Sequence, residues 1–222
     1  MQNVNQYFSK DFILDVYSRV EHYKRTPSFL NYLKPCARIL DIGCSSGGFD
    51  KLLSKKGVEI LGIDISKKAI LKARKINKDY PKARFLVRDI SKWKSNERFD
   101  CILGLFNLLG FIPSTKERIQ ALENMLFMLK DNGKIYLTFT AFDIKILIKA
   151  MYYYVKNKLQ MKHVEFWDTW DYHPQVDIPI FKHNLFPYEL KRLLKTVKVR
   201  YDFNYKFKSL DKTSYLLVII KT

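Results

Sequence analysis

A cluster of small residues constrains the fold of this chain more than any other feature of its sequence. Three of the eight glycines fall within six residues, in the segment Ile39-Leu-Asp-Ile-Gly-Cys-Ser-Ser-Gly-Gly-Phe49. An apolar run predicts a strand that ends near Asp41, and a helix is predicted to start near Phe49. Such a loop lets backbone N–H groups approach a ligand, and the helix N-terminus attracts negative charge. The glycines alone also fit a tight turn without a ligand.

Strand-like and helix-like segments alternate on both sides of this loop. Short apolar runs predict strands at residues 38–42, 59–63, 83–87, 99–105 and 134–140. Helical periodicity predicts helices at residues 49–56, 67–78 and 116–130, with Ser66 as the cap of the second. Asn132-Gly133 is predicted to form the turn into the fifth strand. This alternation is typical of an α/β fold with a parallel sheet.

Two segments flank this core, and a third is inserted in it. We expect one or two helices within residues 6–33, a helix at 185–194, and strands at 197–203 and 215–221 that pair as a hairpin. Residues 141–184 are too many for an ordinary loop, so we interpret them as an inserted cap. We therefore predict a single domain over residues 1–222, divided into N-terminal helices (1–35), a ligand-binding core (36–140), the cap (141–184) and a C-terminal helix with a strand pair (185–222).

Composition excludes several classes of protein. A hydrophobic share of 47% over 222 residues is too high for a disordered chain. The first ten residues lack the apolar run of a secretory signal, and no later run is long enough to span a membrane. Three cysteines without CxxC spacing predict neither a disulfide framework nor a zinc site. We expect a soluble, cytoplasmic protein in a reducing compartment, without a metal.

The net charge of +18 has two interpretations. Clustered cations gain affinity for polyanions by releasing counterions, and residues 51–94 hold 14 Lys and Arg against 4 Asp and Glu. Only 10 of the 40 basic residues are Arg, however, and Arg is the residue that phosphate and base recognition favours. A lysine-rich solvated surface therefore fits as well as an RNA-binding one.

Two acidic residues follow successive predicted strands and favour a nucleotide ligand. Asp64 ends the second strand, 23 residues after Asp41, where a carboxylate can accept both hydroxyls of a ribose. Asp89 follows the third strand, within reach of an adenine amino group. Because parallel strands end at the same edge of a sheet, we expect both carboxyls near the glycine loop.

The segments ILDIGCSSGG, LGIDIS, VRDI, FDCILGLFNLLGFI and MLKDNGKIYLTF, taken in order, resemble the motif set of class I S-adenosylmethionine-dependent methyltransferases. The resemblance covers about residues 17 to 140. It implies an α/β, Rossmann-like sheet of seven strands in the order 3-2-1-4-5-7-6, with the last strand antiparallel and the cap inserted after the fifth. It also implies S-adenosylmethionine as the cofactor.

By this resemblance, each part of the cofactor has a predicted place. Gly43, Ser45 and Gly47 border the methionine moiety, which Asp41 anchors; Asp64 holds the ribose, and Asp89 with Ile90 holds the adenine. The other expected contacts are Tyr23, Cys44, Ile65 and Leu105. Ser45 stands where the family's loop usually has its second glycine, and a positive φ there costs about 1 kcal/mol unless the hydroxyl finds a hydrogen bond.

The resemblance leaves the methyl acceptor open. An O or N atom of a small molecule is the first interpretation, RNA such as tRNA the second, and a non-catalytic cofactor-binding module the third. The fourth predicted strand continues as Leu105-Phe-Asn-Leu108, without the Asp/Asn-Pro-Pro-aromatic tetrad of similar amino-methylating nucleic-acid enzymes. The candidate general bases are in or beside the cap. A histidine suits this role because it titrates near neutral pH. The candidates are His163, Glu165, His173 and His183. Period-two alternation puts His163, Glu165, Trp167 and Thr169 on one face if this segment is a strand.

The first half of the cap has an apolar stripe at helical spacing. Its members are Ile144, Leu147 or Ile148, Met151, Val155 and Leu159. We expect the stripe to pack on the domain. A basic amphipathic helix at residues 144–159 can also rest on an anionic membrane surface, which is the less favoured interpretation.

Overall fold

The computed structural model describes residues 2–18, 33, 36–140, 144–159, 165–173, 176–210 and 214–222. Helices and strands are numbered in chain order within these ranges. They are α1 (Gln2–Phe8), α2 (Asp11–Ser18), β1 (Arg38–Ile42), α3 (Gly48–Ser54), β2 (Glu59–Asp64), α4 (Lys67–Ile76), β3 (Ala83–Val87), β4 (Phe99–Gly104), a 3-10 turn (Leu108–Phe111), α5 (Thr115–Met128), β5 (Leu129–Thr140), α6 (Ile144–Leu159), β6 (Asp168–His173), β7 (Val176–His183), α7 (Pro187–Val197), β8 (Phe203–Ser209) and β9 (Ser214–Lys221).

Seven strands form the main sheet, in the order β3-β2-β1-β4-β5-β9-β8. β1 to β5 pair in parallel, and β9 runs antiparallel to both of its neighbours. Counted within this sheet alone, the order is 3-2-1-4-5-7-6. The predicted α/β fold, strand order and antiparallel last strand are therefore confirmed.

Buried apolar residues on both faces of the sheet explain why the central strands read as continuous apolar runs. Leu40 and Ile102 belong to the larger core cluster on one face, and Ile39 and Leu103 to the cluster on the other. Helix α4 begins where expected, because the Ser66 hydroxyl accepts a hydrogen bond from the backbone N–H of Ala69 at 3.2 Å. This packing fixes the carboxyl ends of the central strands at one edge.

The segment between β5 and α7, residues 141–184, is called the insert below. Its described part consists of α6 and the antiparallel pair β6–β7, which forms a separate two-stranded sheet. The alternating pattern of residues 163–169 allows a strand that includes Glu165, but Glu165 precedes the strand. It lies in a turn that the Asp168 carboxylate closes. The backbone N–H of Glu165 donates to Asp168 Oδ2 at 2.8 Å, and β6 begins at Asp168.

The prediction that the apolar stripe of α6 packs on the domain is wrong. Ile148, Met151, Val155 and Leu159 are all exposed. The opposite face is the one that packs, because Tyr153 meets Trp170 of β6 with ring centroids 5.2 Å apart.

The second predicted C-terminal element begins later than expected. Residues 197–203 alternate like a strand, but Val197 ends α7, where it continues a buried helical stripe with Leu190, Leu193 and Leu194. The strand β8 begins only at Phe203. At Asn132 the φ angle is +60°, yet the residue lies within the irregular first part of β5 rather than in a separate turn.

The sequence predicts no disulfide framework, but the structure joins one pair of cysteines. Cys36 and Cys101 are bonded across 65 residues, with Cα atoms 5.8 Å apart. Their spacing in the sequence gives no sign of this, because the pairing of β1 with β4 is what brings the two residues together. Cys44 is a free, buried cysteine.

None of the helices in the described ranges is long and apolar enough to cross a membrane.

Candidate functional site

A cavity opens at the carboxyl edge of the main sheet, beside the loop between β1 and α3. The space between its walls is about 990 Å³, part of it open to solvent. Nine residues predicted to contact a ligand line it: Asp41, Gly43, Cys44, Ser45, Asp64, Ile65, Asp89, Ile90 and Leu105. The sequence therefore placed most of its candidate ligand contacts around a single cavity.

The loop between β1 and α3 owes its shape to left-handed backbone angles. The φ angles are +75° at Gly43, +49° at Ser45 and +72° at Gly47. The backbone N–H groups of Gly43 and Cys44 both donate to the carbonyl of Ile63 in β2, at 2.8 and 3.1 Å. Gly47 turns toward α4 and is not among the cavity-lining residues, since a Cβ there would lie 3.0 Å from that of Ala73.

Ser45 has the positive φ angle that its position predicts, but not a hydrogen bond that offsets the strain. Its Oγ is buried and has no hydrogen-bond partner within the part of the chain that the structure describes. Because Ser45 lines the cavity, this oxygen is available to a ligand.

The Asp64 carboxylate joins β2 to the loop. Its Oδ2 accepts the backbone N–H of Ser45 at 3.0 Å, and its Oδ1 accepts that of Ser66 at 2.8 Å. Burial raises the pKa of Asp64, while these backbone hydrogen bonds lower it. Each carboxylate oxygen retains a second lone pair, so the group can still accept hydrogen bonds from a ligand in the cavity.

A pair of buried carboxyl groups lies behind the loop. Asp41 and Asp50 are both buried, and burial together with their mutual repulsion raises the pKa of Asp41 well above its ordinary value. Burial also raises the pKa of Asp50. The Asp50 oxygens have no donor from another described residue, so the pair forms a hydrogen bond only when one of the two carries a proton.

Sequence reasoning missed Asp50, although a signal was present. Asp50 shares the buried face of α3 with Leu53 and Ser54, three and four residues further on. An acidic residue on the apolar face of a predicted helix, directly after a glycine loop, therefore marks a candidate site residue.

Asp89 and Ile90 lie at the other end of the cavity. Asp89 Oδ1 accepts two hydrogen bonds from Ser91, from the backbone N–H at 3.0 Å and from the hydroxyl at 2.7 Å. The Asn124 side chain donates to the carbonyl of Ile90 at 2.7 Å, which ties this loop to α5. Asp89 Oδ2 lies 3.8 Å from Nζ of the exposed Lys92 and forms an ion pair with it.

An aromatic wall, made by Phe8, Tyr17, Phe106 and Phe111, forms a further side of the cavity. The ring centroids of Phe8 and Phe111 are 5.2 Å apart, and those of Tyr17 and Phe106 are 6.0 Å apart. Phe106 has a left-handed φ of +55°, which is unusual for a bulky residue. The sequence did not predict this wall, because α1, α2 and the end of β4 contribute to it from distant positions.

The four candidate bases do not converge on the cavity in the described part of the chain. His163 lies outside the described residues, as does the predicted contact Tyr23, and for His173 only its place at the end of β6 is described. Glu165 and His183 are described and are not among the cavity-lining residues. Both belong instead to an ion network that holds the insert to the core.

This ion network is centred on Arg118 of α5, which is almost fully buried. Arg118 donates to Glu165 Oε2 at 2.6 Å and to the carbonyl of Ile112 at 2.9 Å. Burial raises the pKa of Glu165, but Arg118 and two hydrogen bonds from Thr115 outweigh it and lower the pKa to about 2. Glu165 is therefore an ionised carboxylate that Arg118 and Thr115 hold in place.

His183 completes the network. Its Nδ1 lies 2.7 Å from Asp168 Oδ1, and its Nε2 lies 3.4 Å from Glu189 Oε1. Burial lowers the pKa of His183, and the two carboxylates raise it by more. Glu165, Asp168 and His183 are close enough to hold a metal ion. The Arg118 cation, however, already occupies Glu165 Oε2, so the arrangement is satisfied as an ion network.

Comparisons with known proteins find methyltransferases. A family model described as a methyltransferase domain matches residues 39–133. Glycine N-methyltransferase of Oryctolagus cuniculus is 26% identical over 148 residues, which cover 60% of this chain and 50% of that protein. Nodulation protein S of Rhizobium tropici is 28% identical over 101 residues, covering 46% and 42%. The chain thus spans about half, or less, of the length of these relatives.

Solved structures share the fold over nearly the whole chain. A SAM-dependent methyltransferase of Methanosarcina mazei superimposes with a TM-score of 0.71 at 23% identity, covering 88% of this chain and 97% of that one. The N-methyltransferase NodS of Bradyrhizobium japonicum, in complex with S-adenosyl-L-homocysteine, gives a TM-score of 0.61 at 17% identity, covering 99% and 97%.

Proposed function

We propose that this chain, which belongs to the class I S-adenosylmethionine-dependent methyltransferases, moves a methyl group from that cofactor to a small-molecule acceptor, with an amine nitrogen favoured over a hydroxyl oxygen. The observation that carries the proposal is the position of Asp64, which fixes the Ser45 backbone and lines the same cavity.

The cavity suits this cofactor by charge and by hydrogen bonding. The buried carboxyls of Asp41, Asp50 and Asp64 make its inner end electronegative, which favours a ligand that carries an ammonium and a sulfonium group. Ser45 Oγ supplies a buried polar atom without a protein partner among the described residues. When bound, the cofactor supplies an electrophilic methyl group. The residues around it have to bind, orient and exclude water.

In this proposal, the predicted contacts that line the cavity keep the roles that the resemblance implies. Asp64 accepts hydrogen bonds from the ribose hydroxyls, and Asp89 with Ile90 receives the adenine. Asp41 and the loop residues Gly43, Cys44 and Ser45 surround the methionine moiety. Ile65 and Leu105 form apolar contacts along the cofactor, and Gly47 acts indirectly by shaping the loop against α4.

The aromatic wall supports an acceptor that needs little help from a base. Its single titratable member is Tyr17, whose pKa burial raises above the ordinary value of 10. A neutral amine attacks a methyl group through its lone pair and loses its proton afterwards, whereas a hydroxyl has to lose its proton during attack. Two of the similar proteins are named as N-methyltransferases, which agrees with this preference.

RNA is the second candidate acceptor, and the net charge of +18 favours it. Retention of tRNA, measured over a series of salt concentrations, distinguishes an RNA acceptor from a small-molecule acceptor. Each phosphate that the protein neutralises makes the affinity for RNA depend more steeply on salt. A shallow dependence without saturation excludes RNA as the acceptor.

A labelled-methyl assay tests the proposed function. The purified chain is incubated with cell extract and labelled S-adenosylmethionine, and the product is separated into RNA, protein, lipid and small-molecule fractions. We expect label in the small-molecule fraction. Label in the RNA fraction replaces the first candidate with the second, and no label above that of heated protein supports a non-catalytic binding module instead.

A further inference from the structure

Helix α6 turns a continuous apolar face to solvent. Ile148, Met151, Tyr152, Val155 and Leu159 are between 52% and 81% exposed. At about 100° per residue, these five side chains share one side of the helix, which we call the outer stripe. Exposed apolar residues are ordinary when they are scattered, but a contiguous set marks an interaction surface.

Contacts on the opposite side fix the direction in which the outer stripe points. Ala150 and Asn157 are buried beneath the helix. Tyr154 meets Phe166 with ring centroids 5.5 Å apart, and Lys149 forms an ion pair with Asp171 of β6. Because α6 is attached through this inner side, the outer stripe cannot be buried by rolling the helix without losing these contacts.

Lysines border the outer stripe on both edges. The helix contains four lysines and no acidic residue. By helical position, Lys145 and Lys156 follow one edge and Lys158 follows the other, while Lys149 is turned to Asp171. Two of them lie beside rings of the same helix, with Lys156 Nζ 5.6 Å from the Tyr152 ring centre and Lys158 Nζ 5.6 Å from that of Tyr154.

This charge pattern distinguishes between possible occupants of the stripe. A second copy of the chain would bring lysine-bordered stripes together in two molecules that each carry a net charge of +18. An anionic lipid surface instead offers hydrocarbon to the stripe and negative headgroups to the lysines on either side. Tyrosines also suit the boundary between headgroups and acyl chains, since one end of the ring is apolar and the other polar.

We propose that α6 docks this protein on anionic membrane surfaces, with Ile148, Val155 and Leu159 inserted among the acyl chains and the bordering lysines at the headgroups. The helix lies in the interface and does not cross the bilayer. The proposal is independent of the reaction at the cavity, because it depends only on the outward side of α6.

Co-sedimentation with vesicles tests the proposal. The full chain is mixed with vesicles of phosphatidylcholine alone or of phosphatidylcholine with phosphatidylglycerol. We expect binding to the mixed vesicles, weakened by added salt, and little binding to phosphatidylcholine alone. The double substitution Ile148→Ser/Val155→Ser is expected to weaken binding by at least about tenfold. Its matched control is Leu71→Ser/Val199→Ser, which makes the same kind of change at two exposed apolar residues outside α6.

A second pair of variants separates local charge from total charge. Lys145→Glu/Lys156→Glu and Lys191→Glu/Lys195→Glu change the net charge equally, but only the first pair borders the outer stripe. We expect a much larger loss of binding from the first pair, with circular dichroism confirming that both variants are folded. Equal loss from both pairs, unchanged binding of the serine variant, or sedimentation showing a dimer that the serine variant abolishes would each overturn the proposal.

Discussion

The cavity and the insert both bury acidic groups, but only the acidic groups of the insert are paired with basic side chains. At the cavity, burial raises the pKa values of Asp41, Asp50 and Asp64, and the two neighbouring carboxyls raise that of Asp41 further. At the insert, Glu165 is paired with Arg118, and Asp168 with His183. A set of carboxyls without a paired cation gains most from a cationic ligand, whereas a paired set is already satisfied. This is the difference expected between a ligand-binding site and a structural contact. The ion network of Arg118, Glu165, Asp168 and His183 is called the joint.

The largest expected effect is at the joint. Arg118→Met leaves Glu165 without its cation and removes two further hydrogen bonds, to the carbonyls of Ile112 and Pro113. We expect the free energy of unfolding to fall by about 3 kcal/mol, as for other buried pairs that lose one partner. Urea denaturation measures it, with the exposed Arg192→Met as the control. A loss no larger than that of the control would contradict the structural role of Arg118.

The carboxyl pair at the cavity predicts a stability that falls as pH rises. Because the pKa of Asp50 is raised in the folded state, folding binds a proton that the unfolded chain releases above about pH 4. The free energy of unfolding should therefore decrease from pH 4 toward neutral pH, by about 1.4 kcal/mol for each unit by which the pKa is raised.

Asp50→Asn removes one of the two charges and provides a donor to Asp41. We expect this variant to be more stable than the unmodified chain at pH 7 and to lose less stability between pH 4 and pH 7. Urea unfolding at several pH values measures both quantities. A variant with an unchanged pH dependence would show that the two carboxyls do not share a proton.

His183 predicts a smaller effect in a different pH window. Its pKa is raised in the folded state, so its ion pairs with Asp168 and Glu189 stabilise the fold fully below about pH 6.5. This contribution is lost as pH rises through the folded-state pKa. We expect the difference in stability between the unmodified chain and His183→Gln to be larger at pH 6 than at pH 9. An equal difference at the two pH values would show that His183 is neutral throughout.

Ser45→Ala is expected to have the smallest effect: it should not lower stability, but it should lower the affinity for the cofactor. The hydroxyl is buried without a partner among the described residues, so its removal should leave stability unchanged or raise it by up to about 1 kcal/mol. Affinity for S-adenosylmethionine should fall by up to about tenfold, the value of one hydrogen bond. Thermal unfolding and calorimetric titration give the two numbers; a loss of stability would place the hydroxyl in the fold rather than in the site.

The sequence predicts the cavity well because local chemistry determines it. Glycines with positive φ, a capping serine and acidic residues at strand ends are all visible in short segments, and the parallel sheet then brings them to one edge. Asp50, which does not line the cavity itself, was missed because it reaches the cavity-lining Asp41 only through its burial on α3.

The insert is predictable only in outline. The stripe of α6 has helical spacing, but periodicity does not tell which side of a helix a domain covers. The inner side packs because Tyr153 and Trp170, 17 residues apart, meet across the insert. Likewise, Arg118 of α5 pairs with Glu165, and Glu189 of α7 lies beside His183, and periodicity does not show such contacts over long separations.

Calorimetric titration with S-adenosylmethionine tests the central claim, which is that the loop and the carboxyl of Asp64 bind this cofactor. We expect saturable binding at one site, weakened about tenfold to a hundredfold, or about 1–3 kcal/mol, by Asp64→Ala and unaffected by the exposed control Asp79→Ala. No binding to the folded chain, or equal affinity in the Asp64→Ala variant, would contradict it.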